Sequence, residues 1–311
     1  LGLPYDSAQA LLEERNVTDM TSTLTILEPY PGVFAYYDGR VAGVRLHSEA
    51  PNWLDDGAYE LGVASYAIVD GREALVYDTH ISLDHARAIR NHLESLGVTS
   101  IRVVLSHWHK DHVAGNAVFA DCEIIALKLT AERLHENREK IETATPPIRP
   151  LVMPNRLFER TLALTVGERR VELHHFAIHS ADGNVIWLPE EKLLLAGDTL
   201  EDTTTYISEA DQTATHVAEL VRLRQWPIER ILPAHGDRQR IADGGYGPEL
   251  IDANRLYIER LTDAIATGAP IGTLKDFAAE EIASGAILYF EPYEAVHRSN
   301  VERVRAARAA R

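Results

Sequence analysis

Three histidines and an aspartate crowd into HWHKDH, residues 107–112, of a 311-residue chain with 14 histidines in all. Neutral imidazole and carboxylate are ligands for divalent metals, and the spacing suits two ions. His107 and His109, two positions apart, project to one side of an extended or turning backbone and can fill two corners of one coordination sphere. Asp111 and His112 turn the other way and can serve a second ion a few Å off. Two ions so placed can clamp and activate one water between them. Further ligands must come from elsewhere, and three apolar runs end in suitable side chains: RRVELHHFAIHS in His179, KLLLAGD in Asp198 and ERILPAH in His235. One strand-end histidine is more often structural than metal-bound, but three such ends beside HxHxDH reverse that weighting.

The elements that must hold these residues alternate between strand and helix. TLTILEPY, GVFAYYDG, GVASYAIVD and EALVYDT are rich in Val, Ile, Tyr and Thr and are punctuated by Gly or Pro, as strands are. SLDHARAIRNHLESLG reads as a helix capped by Ser82 or Asp84 and closed by Gly97, with Ala86, Ile89, His92, Leu93 and Leu96 at helical spacing. IRVVLS is a short buried strand that runs into HWHKDH, which places the motif at a sheet end, where α/β proteins tend to put their sites. TLALTVG, RRVELHHFAI, NVIWLP and KLLLAGD form a second strand series. A helix ATHVAELVRLRQW, a strand ERILPAH and a long helix PELIDANRLYIERLTDAIATG follow. The prolines of NREKIETATPPIRPLVMPN predict an irregular connection between the halves. The insertion HSEAPNWLDDGAYE carries Trp53, which can wall a pocket or pack its own loop.

In this order, HWHKDH, His179 in HSADGN, Asp198 in LLLAGDTL and His235 in LPAHG resemble the successive metal motifs of the metallo-β-lactamase superfamily, over residues 24 to 240 or so. The resemblance implies an α/β fold, an αββα sandwich of two mixed sheets with helices on the outer faces and metals at one edge. It implies a single domain over 1–311, with its core at about 24–240 and a C-terminal helical extension over 241–311. It implies a first metal held by His107, His109 and His179, and a second held by Asp111, His112 and His235, with Asp198 bridging. Asp78 in LVYDTH resembles the family's strand-end aspartate and would orient a ligand histidine through its other ring nitrogen. The cofactor expected is two Zn²⁺ per chain, with iron or manganese as alternatives. The activity expected is hydrolysis by a metal-bridging hydroxide of an ester, lactone, thioester or amide carbonyl, with Asp111 also holding the attacking hydroxide.

Within the superfamily, zinc β-lactamases similar at HSADGNVIWLP carry cysteine, or in another class serine, where this chain has Asp198; thioesterases, lactonases and phosphodiesterases carry aspartate. Two alternatives stay open: a zinc β-lactamase, and an oxidoreductase like the persulfide dioxygenases, with a single iron on two histidines and an aspartate. Lactonases place a tyrosine just after the bridging aspartate, whereas here the nearest is Tyr206, eight residues on, a candidate to touch the substrate carbonyl. No basic cluster follows Asp198 that would grip an anionic substrate arm. Tyr289 and Phe290 are candidates for the pocket wall, and His80 for the site's edge. Of the other histidines, His174 and His175 face opposite sides of a strand, and His216 and His297 are expected in structural or solvated roles. Lys110 is expected at the surface.

Composition narrows the field. A net charge of −16 argues against a nucleic-acid backbone as partner, and leaves a small-molecule substrate open. No apolar run long enough to span a membrane is present. The start, LGLPYDSAQALLEERN, lacks the basic and apolar regions of a signal peptide, and a cytoplasmic location is favoured, although a leader trimmed from it is compatible with the missing Met. The single cysteine, Cys122, excludes an internal disulfide and a cysteine zinc cage, and is expected to be a buried core residue. The helix from Pro248 could pair two chains into a homodimer or serve the core. The Arg/Ala-rich C-terminal helix is expected to pack by its valines, with an acidic partner as the alternative.

Overall fold

The computed structural model describes residues 20–41, 45–55 and 60–310. The segment LGLPYDSAQALLEERN, on which the leader expectation rests, lies outside the described residues. Two mixed sheets stack face to face with helices outside, as expected. The first contains β1 (Thr25–Tyr30), β2 (Val33–Asp38), β3 (Val63–Asp70), β4 (Glu73–Tyr77), β5 (Ser100–Val104), β6 (Glu123–Leu127) and β7 (Arg156–Phe158), in that spatial order. Pairing is antiparallel from β1 to β4 and parallel from β4 to β7. The second contains β8 (Thr161–Val166), β9 (Arg169–His175), β10 (Asn184–Leu188), β11 (Leu193–Gly197) and β12 (Arg230–Pro233), ordered β12-β11-β10-β9-β8, with only β11 and β12 parallel.

Strand periodicity explains the layers. Successive side chains face opposite sides of a sheet, so Ala64, Tyr66 and Ile68 of β3 enter the layer between the sheets while Ala67 faces the outer helices. Val104 and Val103 of β5 divide in the same way. The inter-sheet layer closes with Leu164, Leu173, Ile186, Leu195 and Leu232 from the second sheet.

On the first sheet's outer face lies α1 (Leu83–Ser95), started by Ser82, whose hydroxyl accepts from the His85 amide. Ala86, Ile89 and Leu93 are buried, but Leu96 is 46% exposed, because the helix ends at Ser95 and Leu96 begins the turn away from the sheet. Short helices follow: α2 (Lys110–Val113), α3 (Lys128–Glu136) and α4 (Arg138–Glu142). The last of these lies in the connection expected to be irregular; the prolines come only after it, at 146, 147, 150 and 154. Cys122, expected in the core, is only half-buried at the edge of this layer.

The second sheet's outer face carries α5 (Thr213–Leu223), α6 (Arg238–Ala242), α7 (Glu249–Thr267), α8 (Leu274–Phe277), α9 (Ala279–Ser284) and α10 (Tyr293–Ala309). Leu220, Leu250, Tyr257, Ile258, Val296, Val301 and Val304 join the β-strand residues Val185 and Leu194 in one cluster, so α5, α7 and α10 cover this face. Among the described residues, no helix is long and apolar enough to cross a membrane.

Candidate metal centre

Four strand ends, a parallel pair from each sheet, deliver the site. β4 is followed by Asp78, β5 runs into residues 106–112, β11 is followed by Asp198, and β12 by His235. His179 follows β9, which runs in the same direction as β11. The turns are demanding: Asp78 and His179 adopt φ of 68° and 65°, a left-handed conformation that non-glycine residues rarely hold. At Gly197 (φ 54°) an added Cβ would lie 2.9 Å from both Ser106 Cβ and the Tyr77 hydroxyl. Only glycine fits there, and Asp198 is presented by that turn. Gly115 lets the loop after HWHKDH press onto α1 and the turn before it, since a Cβ there would meet Ala86 Cβ at 2.4 Å and the Thr79 carbonyl at 2.1 Å.

The ligand-type side chains fall into two quartets, each with donor atoms within 4.8 Å of one another: His107, His109, His179 and Asp198; and Asp111, His112, Asp198 and His235. Asp198 belongs to both and divides its oxygens between them. Its Oδ2 lies 3.5 Å from the Nε2 atoms of His107 and His179, and its Oδ1 lies 3.2 Å from His112 Nε2 and 3.5 Å from His235 Nε2. Asp111 Oδ2 completes the second quartet, 3.4 Å from His112 Nε2 and 3.3 Å from His235 Nε2. His109 Nδ1 faces His179 Nε2 at 3.1 Å.

The outer ring nitrogens are held from behind. Asp78 Oδ2 takes His112 Nδ1 at 2.8 Å while its Oδ1 accepts from the Ser106 amide at 2.6 Å. His235 Nδ1 donates to the Gly62 carbonyl at 2.6 Å, and His107 Nδ1 meets the Ser106 hydroxyl at 2.9 Å. His179 Nδ1 faces Glu201 Oε1 at 3.3 Å. Glu201 is a buried residue that the sequence reading missed. Its signal is faint: an acidic side chain three positions after Asp198, followed at once by a second, Asp202, in a threonine-rich run.

The donor set suits divalent cations. His107 Nε2, His112 Nε2 and Asp198 Oδ1 are fully buried without a hydrogen-bond partner among the described residues, yet buried polar atoms are normally satisfied. The protonation preferences agree. Burial, with His112 and His109 nearby, keeps the His107 imidazole well below its usual pKa, and burial beside His179 pushes His109 down to about 3. Burial also opposes charge on His112 and His235, but Asp198 and Asp111 outweigh it and raise both well above the ordinary value. Burial would likewise raise Asp111 and Asp198, but the surrounding histidines hold both well below the carboxylate range. Carboxylates this deep remain ionised only beside positive charge, and metal ions can supply it in place of protons.

A cavity of about 590 Å³ opens over the quartets. His109, His179, Asp111, Asp198, His235 and Glu201 line its metal end, and Trp53, Leu61, Trp108, Pro292, Ala295 and Val296 form apolar walls. Trp53 lines the cavity and packs against the cluster of Leu46 and Leu54 in its own loop, and its Nε1 donates to the Pro146 carbonyl at 2.7 Å, joining a second loop. Tyr206 reaches the cavity, its ring 6.1 Å from that of His179, and its hydroxyl accepts from Arg303 of α10. Lys110 is not simply a surface residue. It lines the cavity, with Nζ 5.8 Å from the Trp53 ring centre. Lys140 and Arg303 also line it, so three cations stand there beside one outer carboxylate, Glu60. The basic cluster sought after Asp198 is therefore built from other segments.

Other candidates fall away from the cavity. The Tyr289 hydroxyl donates to Glu294 and Phe290 packs under the Arg40 guanidinium, 4.7 Å from its ring centre. Arg40 also donates to the Leu61 and Asp202 carbonyls, and the Asp202 carboxylate accepts from the Leu288 amide and the Tyr246 hydroxyl. This latch ties the C-terminal segment to the loop after Asp198, and it is why Pro292 rather than Phe290 reaches the cavity. His80 is buried against the Tyr36 carbonyl and stacks on His85, so it packs rather than orients a ligand. His174 and His175 bond to Glu172 and the Ala181 carbonyl, and His297 meets the Tyr257 hydroxyl. Burial pushes the His216 imidazole down to about 4, consistent with packing in α5.

Comparison with known proteins agrees with this geometry. The family described as the metallo-beta-lactamase superfamily matches residues 58–235. An acyl-coenzyme A thioesterase, MBLAC2 of Gallus gallus, is 23% identical over 214 residues, covering 59% of this chain and 76% of that protein. An atrochrysone carboxyl ACP thioesterase of Passalora fulva is 36% identical over 81 residues, only 24% of either chain. Among solved structures, the DIM-1 metallo-beta-lactamase superposes with a TM-score of 0.57 at 20% identity, covering 76% of this chain and 96% of that one.

Proposed function

Since the chain belongs to the metallo-β-lactamase superfamily, and is thereby a metal-dependent hydrolase acting on a small-molecule carbonyl group, we propose that it works with two zinc ions and that its substrates are acyl thioesters carrying an anionic group. The observation that carries the two-metal reading is Asp198, which turns one oxygen to each donor quartet at the floor of the cavity. His107, His109 and His179 would hold the first ion; Asp111, His112 and His235 would hold the second. A set rich in imidazole with carboxylate suits zinc, with iron and manganese as alternatives. When bound, such ions make water acidic enough to ionise near neutral pH and polarise a carbonyl oxygen.

The chain's own residues supply the rest. Asp111, with Oδ2 at the rim of the second quartet, would accept a hydrogen bond from the attacking water and aim it. Tyr206 accepts from Arg303, which leaves its own hydroxyl hydrogen to donate to the substrate oxygen that gains charge. The apolar wall of Trp53, Trp108, Leu61 and Val296 would take an acyl chain and exclude water. Lys110, Lys140 and Arg303 would meet the anionic group of the leaving thiol. Arg303 is suited to that, because its hydrogen-bond partners among the described residues are the neutral oxygens of Tyr206, Ser208 and Ser299. The two relatives named as thioesterases support the same substrate class. A single-iron oxygenase would leave Asp111, His112 and His235 without metal, whereas their donor atoms converge with Asp198.

The test is a panel of acyl-coenzyme A thioesters, lactones, simple esters and a chromogenic cephalosporin, assayed with zinc-loaded protein. Thioesters should be the best substrates, with activity lost to a chelator and restored by Zn²⁺. Turnover of lactones or the cephalosporin with no thioester cleavage would overturn the substrate class.

A further inference from the structure

Glu201 stands apart from the ligands discussed so far: it is 1% exposed, belongs to neither quartet, and lies at the metal end of the cavity. A buried carboxylate is expensive unless something compensates it. Among the described residues its polar contacts all fall on Oε1: 3.3 Å to His179 Nδ1, 2.9 Å from the Tyr206 amide and 3.5 Å from the Thr205 hydroxyl. Oε2 and His179 Nδ1 are both buried without a hydrogen-bond partner among the described residues, so the 3.3 Å approach is an ion-pair contact that a small ring rotation would convert to a hydrogen bond. The residue's backbone is fixed from α7, where Asn254 Nδ2 donates to the Glu201 carbonyl at 3.0 Å. One oxygen therefore touches both a metal-ligand histidine and the backbone of the tyrosine that walls the cavity.

We propose that Glu201 is a positioning residue for the first metal site: it holds the His179 ring so that Nε2 faces the ion, and it ties the Tyr206 segment to that same ring. The inference rests on the two-metal reading and deepens it. A carboxylate at Nδ1 keeps the hydrogen on that nitrogen, leaves the Nε2 lone pair for the metal and makes the ring a stronger donor. His179 sits on a turn with φ of 65°, four residues beyond the end of β9, where a partner behind the ring helps to fix it. Asp78 does the same for His112 in the second site, so each quartet would have its own carboxylate behind one histidine.

The prediction is site-specific loss of affinity. Apo protein is titrated with Zn²⁺ alone against a chromophoric chelator, in two backgrounds: His235→Ala, which disables the second site, and His109→Ala, which disables the first. Adding Glu201→Ala should weaken Zn²⁺ binding about 10- to 100-fold in the His235→Ala background and leave the His109→Ala background within about threefold. Glu201→Gln keeps an oxygen able to accept from both the Tyr206 amide and Nδ1, so it should lose less than alanine does. Circular dichroism of each apo protein reports folding, and if the alanine variant fails to fold, the glutamine variant carries the same site-specific test. Equal weakening in both backgrounds would make Glu201 a general packing residue, and no change in either would remove it from the site; both results overturn the proposal. If the parent chain binds two zincs and Glu201 proves silent, only this inference falls. If the parent binds none, the two-metal reading falls with it.

Discussion

Replacing Asp78 by asparagine tests the support of the second site, and its size can be worked from the contacts. The Asp78 carboxylate accepts two hydrogen bonds, one from the Ser106 amide through Oδ1 and one from His112 Nδ1 through Oδ2. Asparagine has one acceptor oxygen, so one of those two donors must face an amide NH₂. A buried donor left unsatisfied costs about 1–3 kcal/mol. An offset exists. Burial is the largest influence on Asp78 and raises its carboxyl pKa despite His112, so the native charge is itself costly to keep. The apo protein should therefore lose only about 1 kcal/mol, the lower end of that range. The metal effect should be larger. Loss of the partner behind a ligand histidine typically weakens metal binding about 10- to 100-fold, or roughly 1.4–2.7 kcal/mol. Ser106 Oγ, 3.4 Å from His112 Nδ1, is too distant to replace the carboxylate. Zinc titration of Asp78→Asn in the His109→Ala background isolates the second site, and urea denaturation of the apo form measures the stability term. Unaltered second-site affinity with intact folding would refute the claim that Asp78 orients His112.

Other substitutions probe separate links. Tyr206→Phe should lower kcat by about tenfold or more, the scale of losing one oxyanion donor in part, with zinc content unchanged; steady-state kinetics at wild-type rates would return Tyr206 to wall packing. Gly197→Ala should destabilise the apo protein by about 1–3 kcal/mol, from the left-handed backbone and the contacts with Ser106 and Tyr77, and urea denaturation at wild-type midpoint would contradict that. Cys122 should alkylate slowly at pH 8. Burial, then Asp121, pushes its thiol up to about 11, so only about one thiol in a thousand is thiolate at that pH, and the rate should climb as pH rises toward 11. A labelling rate equal to that of free cysteine would show the thiol to be unperturbed.

Much of this centre was legible because its residues terminate strands. His107, Asp198 and His235 follow continuous apolar runs, and the period of two in those runs sets which way each end faces. Asp78 was legible through family resemblance rather than spacing. The two-layer core was readable too, from β-branched runs divided by glycine and proline. What was not legible depends on tertiary approach. Lys140 and Arg303 reach the cavity from α4 and α10, 163 positions apart, and no local pattern says that two helices on different sheets converge on one opening. Tyr289 and Phe290 were misjudged for a similar reason: the buried Arg40–Asp202 latch turns their segment so that Phe290 covers a guanidinium. Glu201 escaped notice because an acidic pair such as Glu201 and Asp202 reads as solvated until its burial is known. Leu96 fitted the helical stripe, but the helix had already ended.

The most direct test of the central claim is the number of divalent ions per chain, counted by elemental analysis on protein purified without chelator or affinity-tag metal. The geometry predicts close to two, falling toward one in His109→Ala and in His235→Ala. A single ion in the parent chain, unaffected by His235→Ala, would contradict the two-metal centre.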